Sequence, residues 1–138
     1  MKRYAVFGHP VLHSLSPKIH LAFAKQSGIA IEYTAIECAP GDFAGTLSSF
    51  ARSGGDGGNV TQPHKQRAAE LCNLLSARAK RAGAVNTLIR HGNGWLGHNT
   101  DGPALARHLT GRHALALRRR RTPTLGPALR NAARSRMV

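Results

Sequence analysis

A chain of 138 residues with 41% hydrophobic and 19% charged residues can bury one core and is too apolar to be a disordered segment. Its formal charge of +14 is uneven: residues 1–109 hold 12 Lys and Arg against 6 acids, whereas residues 110–138 hold 8 Arg and no acid. No apolar run approaches a membrane span, and the stretch from Tyr4 to Phe7 is too short for a signal-peptide core, so a soluble, cytoplasmic protein is expected.

The pattern then alternates. Tyr4 to Phe7 is a short apolar strand, and a helix follows with Ser16 as its cap and Pro17 at its first position, predicted to bury Ile19 and Phe23. Ile31, Tyr33 and Ala35 alternate with Glu32 and Thr34 as in a half-buried strand. Phe43, Leu47 and Phe50 recur at helical spacing after a start at Asp42. The run Gly54 to Gly58 signals a turn, Val60 and Thr61 suit a strand end, and Pro63 suits the first turn of the next helix. Ala68, Leu71, Cys72 and Leu75 mark that helix's apolar face. A short helix that Gly83 should end comes next, then a strand near Ala84 to Ile89. Gly92-Asn93-Gly94 reads as a hairpin turn into Trp95 and Leu96, and a last helix is predicted from Asn99–Asp101 to Leu109. The alternation predicts an α/β fold: a three-layer domain with a mainly parallel, mixed sheet flanked by helices.

Polar residues gather where elements end: Ser14 and Ser16, Thr61 and Lys65, Asn86 and Thr87, and Asn99 to Asp101. Two hydroxyls at a helix N-terminus suit a small carboxylate, since both the donors and the helix dipole favour an anion. Lys65 can exchange a proton with an oxygen that alternates between hydroxyl and ketone, while Asn86 and Asp101 can hold ring hydroxyls. A plainer role is open to each residue: Ser16 as a cap, Ser14 as a turn residue, Asp101 as first-turn acid, Lys65 as a solvated surface lysine. The 8 histidines and the two cysteines, Cys38 and Cys72, show no metal-ligand spacing, so no metal and reduced thiols are expected. The glycines at 54 to 58 precede a strand, which argues against a phosphate loop.

Taken together the motifs are more specific. Phe7-Gly8-His9-Pro10-Val11-Leu12-His13-Ser14-Leu15-Ser16-Pro17, Asn59-Val60-Thr61-Gln62-Pro63-His64-Lys65, Gly83-Ala84-Val85-Asn86-Thr87 and Gly97-His98-Asn99-Thr100-Asp101-Gly102 occur in this order. With them, residues 1–109 resemble the N-terminal, substrate-binding domain of the shikimate dehydrogenase family. The resemblance implies NADPH-dependent reduction of 3-dehydroshikimate to shikimate, on the route to chorismate and the aromatic amino acids. It implies Lys65 and Asp101 as catalytic residues, and Ser14, Ser16, Thr61, Lys65, Asn86 and Asp101 as the substrate-binding set. NADP is the cofactor the family implies, a small molecule is the expected partner, and neither a membrane nor nucleic acid is expected.

The remainder departs from that pattern. Only 29 residues follow Leu109, against roughly 100 for a dinucleotide-binding half, so the Rossmann domain is expected to be essentially absent. Residues 110–138 read as an irregular arginine-rich tail, of a composition expected from coding sequence read out of frame. Where a glycine-rich turn would fall, the chain has Leu125-Gly126-Pro127, and Ala77 stands where relatives carry an acid near the cofactor. Two other functions follow from these departures: a shikimate-binding module without catalysis, and a polyanion-binding protein using its basic tail.

Overall fold

The computed structural model describes residues 1–101. Met1–Asn99 forms one compact unit, and a second begins at Thr100 and is described through Asp101. The predicted helix to Leu109 beyond Asp101 and the arginine-rich tail lie outside the described residues.

Six strands and four helices make up the first unit: β1 (Lys2–Gly8), α1 (Ser16–Gln26), β2 (Ile31–Glu37), a 3-10 turn (Pro40–Asp42), α2 (Phe43–Arg52), β3 (Gly57–Val60), α3 (Lys65–Leu71), β4 (Leu74–Leu75), α4 (Ala77–Ala82), β5 (Thr87–His91) and β6 (Gly94–His98). They form one sheet in the order β2-β1-β3-β5-β6-β4. β1 pairs parallel with β2 and with β3, and β4 parallel with β6, while β5 runs antiparallel to both β3 and β6. The sheet is therefore mixed, as expected. The antiparallel part reaches one pairing beyond the hairpin.

Strand alternation divides the core into two layers. Ala5, Phe7, Val60 and Leu88 face Phe43, Leu47 and Phe50 of α2, Ala68 of α3 and Ala79 of α4. Phe7 meets Phe43 and Phe50 edge-on, with centroids 5.9 and 5.4 Å apart. On the opposite face Val6, Val11 and Tyr33 pack with Tyr4, Ile31 and Ala35. α1 lies on that face against β2 and β1.

Several expectations are met closely. α2 buries Phe43, Leu47 and Phe50. Gly83 ends α4 at φ +62°, a left-handed conformation that costs a glycine nothing, and Ser76 caps the other end by accepting the Ala79 N–H. The hairpin joins β5 to β6.

Others are corrected. α1 buries no residue: Ile19 is 46% and Phe23 61% exposed, because no described element covers that side of the helix. Ser16 is the first helical residue and not its cap, since the chain already turns at Ser14, whose Oγ accepts the Ser16 N–H at 3.2 Å. Pro63 precedes the helix instead of opening it; His64 N–H turns back to the Thr61 carbonyl at 3.0 Å, and α3 starts at Lys65. Leu75 lies in β4, because Cys72 is extended and the Asn73 and Ser76 N–H groups bond to the Trp95 and Gly97 carbonyls of β6. The strand expected from Ala84 begins at Thr87.

Candidate active site

Sheet topology brings the candidate residues of the first unit to one end. β1 and β3 are parallel neighbours, so their carboxyl ends lie side by side, and β5, antiparallel to β3, begins there. In open α/β sheets that end is where ligands bind.

Main-chain hydrogen bonds hold the segments in register beyond the strands. Thr61 N–H donates to the Phe7 carbonyl at 2.9 Å and His9 N–H to the Gln62 carbonyl at 3.1 Å. Val85 N–H donates to the Lys65 carbonyl at 2.9 Å, and Val60 N–H to the Asn86 carbonyl at 2.9 Å. Lys65, as first residue of α3, is thus joined to the segment that carries Asn86.

The loop from His9 to Leu15 is pinned as well. Val11, 2% exposed, donates its N–H to Glu37 Oε1 at 2.9 Å, and Ser14 N–H closes a turn on the Val11 carbonyl at 2.9 Å. Gly8 lets this loop approach Thr61: a Cβ there would sit 2.5 Å from Thr61 Cγ2 and 3.0 Å from Val11 Cβ. Both the His9–Pro10 and the Gln62–Pro63 peptide bonds are cis.

His64 anchors the start of α3. It is 1% exposed, its ring stacks on Phe43 with centroids 4.5 Å apart, and Nε2 donates to the Cys38 carbonyl at 2.8 Å. Residue 64 thereby ties Lys65's helix to the end of β2. Cys38 and Cys72 are free thiols, and burial pushes both upward, Cys72 to about 11, so neither is an activated nucleophile.

Ser14, Ser16, Thr61, Lys65 and Asn86, all partly exposed, are therefore carried on connected segments at the carboxyl end of the sheet. Asp101 is exposed and belongs to the second unit. A broad groove of about 980 Å³ runs elsewhere, beside β2 and α2, lined by Arg3, Glu37, Asp42, Thr46 and Ser53 among others. None of the candidate residues lines it, so its size carries no weight against the convergence of polar groups.

Three supporting residues had no role assigned from sequence: Tyr33, Asn59 and His64. Tyr33 donates its hydroxyl to Asn59 Oδ1 at 2.7 Å, and burial pushes its phenol up to about 12. Asn59 and His64 lie within the Asn59–Lys65 motif, while Tyr33 shows only as a buried position of an alternating strand.

The glycine-rich run of the described residues is not built as a dinucleotide cradle. The glycine run at 54 to 58 enters β3 and not a helix, and a Cβ at Gly57 or Gly58 would meet the Leu88 or Ala5 carbonyl at 2.7 or 2.4 Å. These glycines serve close strand packing and leave no cradle for a pyrophosphate. Among the described residues no group of three or more His, Cys, Asp or Glu could hold a metal ion, and no helix is long and apolar enough to cross a membrane.

The first unit is thus an α/β domain whose sheet end carries hydroxyls, an amide and one lysine on connected segments. Residues 6–88 match the family described as the shikimate dehydrogenase substrate binding domain. The chain belongs to the shikimate dehydrogenase family. It is 54% identical to the NADP(+) shikimate dehydrogenase of Xanthomonas oryzae pv. oryzae over 147 aligned positions, covering 100% of this chain and 52% of that protein. With the Stenotrophomonas maltophilia R551-3 enzyme of the same name it shares 56% identity, over 90% of this chain and 44% of the relative.

Solved structures agree. Shikimate dehydrogenase from Aquifex aeolicus superposes with a TM-score of 0.78 at 32% identity, over 83% of this chain and 43% of that one. The Thermus thermophilus enzyme, in complex with NADP(H) and shikimate, gives 0.75 at 33% identity, over 96% and 53%. The chain spans about half the length of the curated relatives it matches.

Proposed function

We propose that this chain holds shikimate or 3-dehydroshikimate at the carboxyl end of its sheet, as the substrate-binding portion of an NADP-dependent dehydrogenase that interconverts the two. The observation that carries the reading is the tethering of Lys65, Thr61 and Asn86 by the Val85–Lys65, Thr61–Phe7 and Val60–Asn86 main-chain bonds.

In this reading the hydroxyls of Ser14 and Ser16 donate to the substrate carboxylate, helped by the positive end of α1. Thr61 and Asn86 bond ring hydroxyls, and Asn86 can both donate and accept. The Lys65 ammonium donates to the carbonyl oxygen that becomes a hydroxyl, stabilising negative charge as it develops there. In the reverse direction Lys65 takes that proton back. Asp101 belongs to the substrate-binding set only by the family resemblance. A bound NADP(H) would supply or take up the hydride.

Calorimetry of the purified chain with shikimate tests the binding. Losing one hydrogen bond to a charged group costs about 1.5–3 kcal/mol, so Ser14→Ala should weaken binding roughly 10- to 100-fold. No heat at millimolar shikimate would overturn the reading. NADP-dependent oxidation of shikimate that disappears in Lys65→Ala would assign catalysis to the chain itself. If shikimate binds and oxidation does not rise above the Lys65→Ala background, the chain is a binding module without turnover.

A further inference from the structure

Three hydrogen bonds and one ring stack, centred on Tyr33, join the Ser16 carbonyl to the Asn86 carbonyl. The Ser16 main-chain carbonyl accepts from His20 Nδ1 at 2.8 Å, which places the hydrogen on Nδ1. His20's ring lies flat on Tyr33, with centroids 4.4 Å apart and planes 12° from parallel. Tyr33, 6% exposed, donates its hydroxyl to Asn59 Oδ1. With its oxygen committed there, Asn59 turns its Nδ2 toward the Asn86 carbonyl, 3.4 Å away, the same carbonyl that accepts from Val60. Asn86 Oδ1 in turn accepts from Thr87 Oγ1 at 2.9 Å.

We propose that Tyr33 is a positioning residue, which through His20 and Asn59 fixes the separation between Ser16 and Asn86. This inference rests on the shikimate-binding reading only for its ligand. Tyr33 stands on β2, which carries none of the candidate residues, and its side chain faces α1 and β3. It reaches both ends of the site without occupying it: one end would hold the carboxylate, the other a ring hydroxyl. Because burial keeps the phenol neutral up to about pH 12, the hydroxyl remains a donor over any working range. Without that donor the Asn59 carboxamide is free to turn over, exchanging the group it shows to Asn86.

The test is Tyr33→Phe in the 138-residue chain, read in three ways: urea unfolding, the NMR signals of the Asn59 and Asn86 carboxamides and the Ser16 amide, and titration with shikimate. The variant should stay folded, shift the Asn86 and Ser16 signals, and weaken shikimate binding about fivefold, the effect of one hydrogen bond. A purely structural tyrosine would lower stability and leave those signals and the affinity in place, and that result overturns the proposal. If the unaltered chain takes no shikimate, the ligand reading fails, and the signals alone decide the positioning role. If shikimate binds and Tyr33→Phe changes neither signals nor affinity, the positioning role fails and the ligand reading stands. Should Tyr33→Phe not fold, His20→Leu removes the stacked ring from a partly exposed position. Movement of the Asn59 and Asn86 signals then supports the relay, and unmoved signals refute it.

Discussion

Gly8 shows how a single position can decide whether a site assembles. The volume its side chain would fill is taken by the Thr61 methyl and by Val11, both of them packed over the end of β1. Gly8→Ala must push Thr61 outward, since Val11 is held by its bond to Glu37. Overpacking of this kind costs about 1–3 kcal/mol. Urea unfolding should show that loss, and calorimetry should show weaker shikimate binding, because the proposed site loses its Thr61 contact. Wild-type affinity in Gly8→Ala would remove Thr61 from the binding set.

At the scale of elements, local chemistry was legible and coverage was not. The Phe43, Leu47, Phe50 spacing identified α2, Gly83 marked the end of α4, and the Gly92-Asn93-Gly94 turn located the hairpin, because each rests on a rule satisfied within a few residues. Ile19 and Phe23 follow helical spacing equally well. Periodicity shows that a face is apolar, but what covers it depends on distant chain. The two-residue strand β4 was missed for the same reason: Leu74 and Leu75 are recruited by β6, some twenty positions away, against a helical pattern that continued through them. Of the candidate site, the motifs supplied Ser14, Ser16, Thr61, Lys65, Asn86 and Asp101, and contained Asn59 and His64 without showing that they act as supports. Tyr33 is set by its partner Asn59 and His64 by Cys38, 26 positions away in each case. The exposure of α1 is itself testable. With Phe23 61% exposed, Phe23→Gln should change the unfolding free energy by no more than about 0.5 kcal/mol while reducing self-association in light scattering.

For the whole molecule, burial of neutral acids sets the alkaline limit. Cys72 is pushed from 9.0 to about 11 and Tyr33 from 10.0 to about 12, both by desolvation. Between each pair of values the unfolded chain loses a proton that the folded chain keeps. Stability is full below the lower value and falls as pH rises through the higher one. Unfolding midpoints should therefore decline from about pH 9 to 12. Cys72→Ala should make the decline between about pH 9 and 11 shallower, while the buried Cys38 keeps its onset near 9, and Tyr33→Phe should remove the upper part. A flat profile across that range would contradict the burial of both groups.

The sheet also keeps two kinds of work apart. At the amino end of β1, Lys2 Nζ pairs with Asp56 at 3.0 Å, Arg3 N–H donates to the same carboxylate at 2.9 Å, and Arg3 reaches Glu32 and the Ser53 carbonyl. The backbone N–H of Arg3 and then Lys2 hold Asp56 below the usual carboxylate range. Along the seven-residue strand β1, Lys2 and Arg3 lie roughly 17–20 Å from Gly8 at the other end. Effects at such distances add with little coupling, so Asp56→Asn should lower the melting temperature and leave shikimate affinity within about twofold. An engineer could thus toughen the chain from the base of the sheet while ligand selectivity is evolved at its tip, with neither campaign constraining the other.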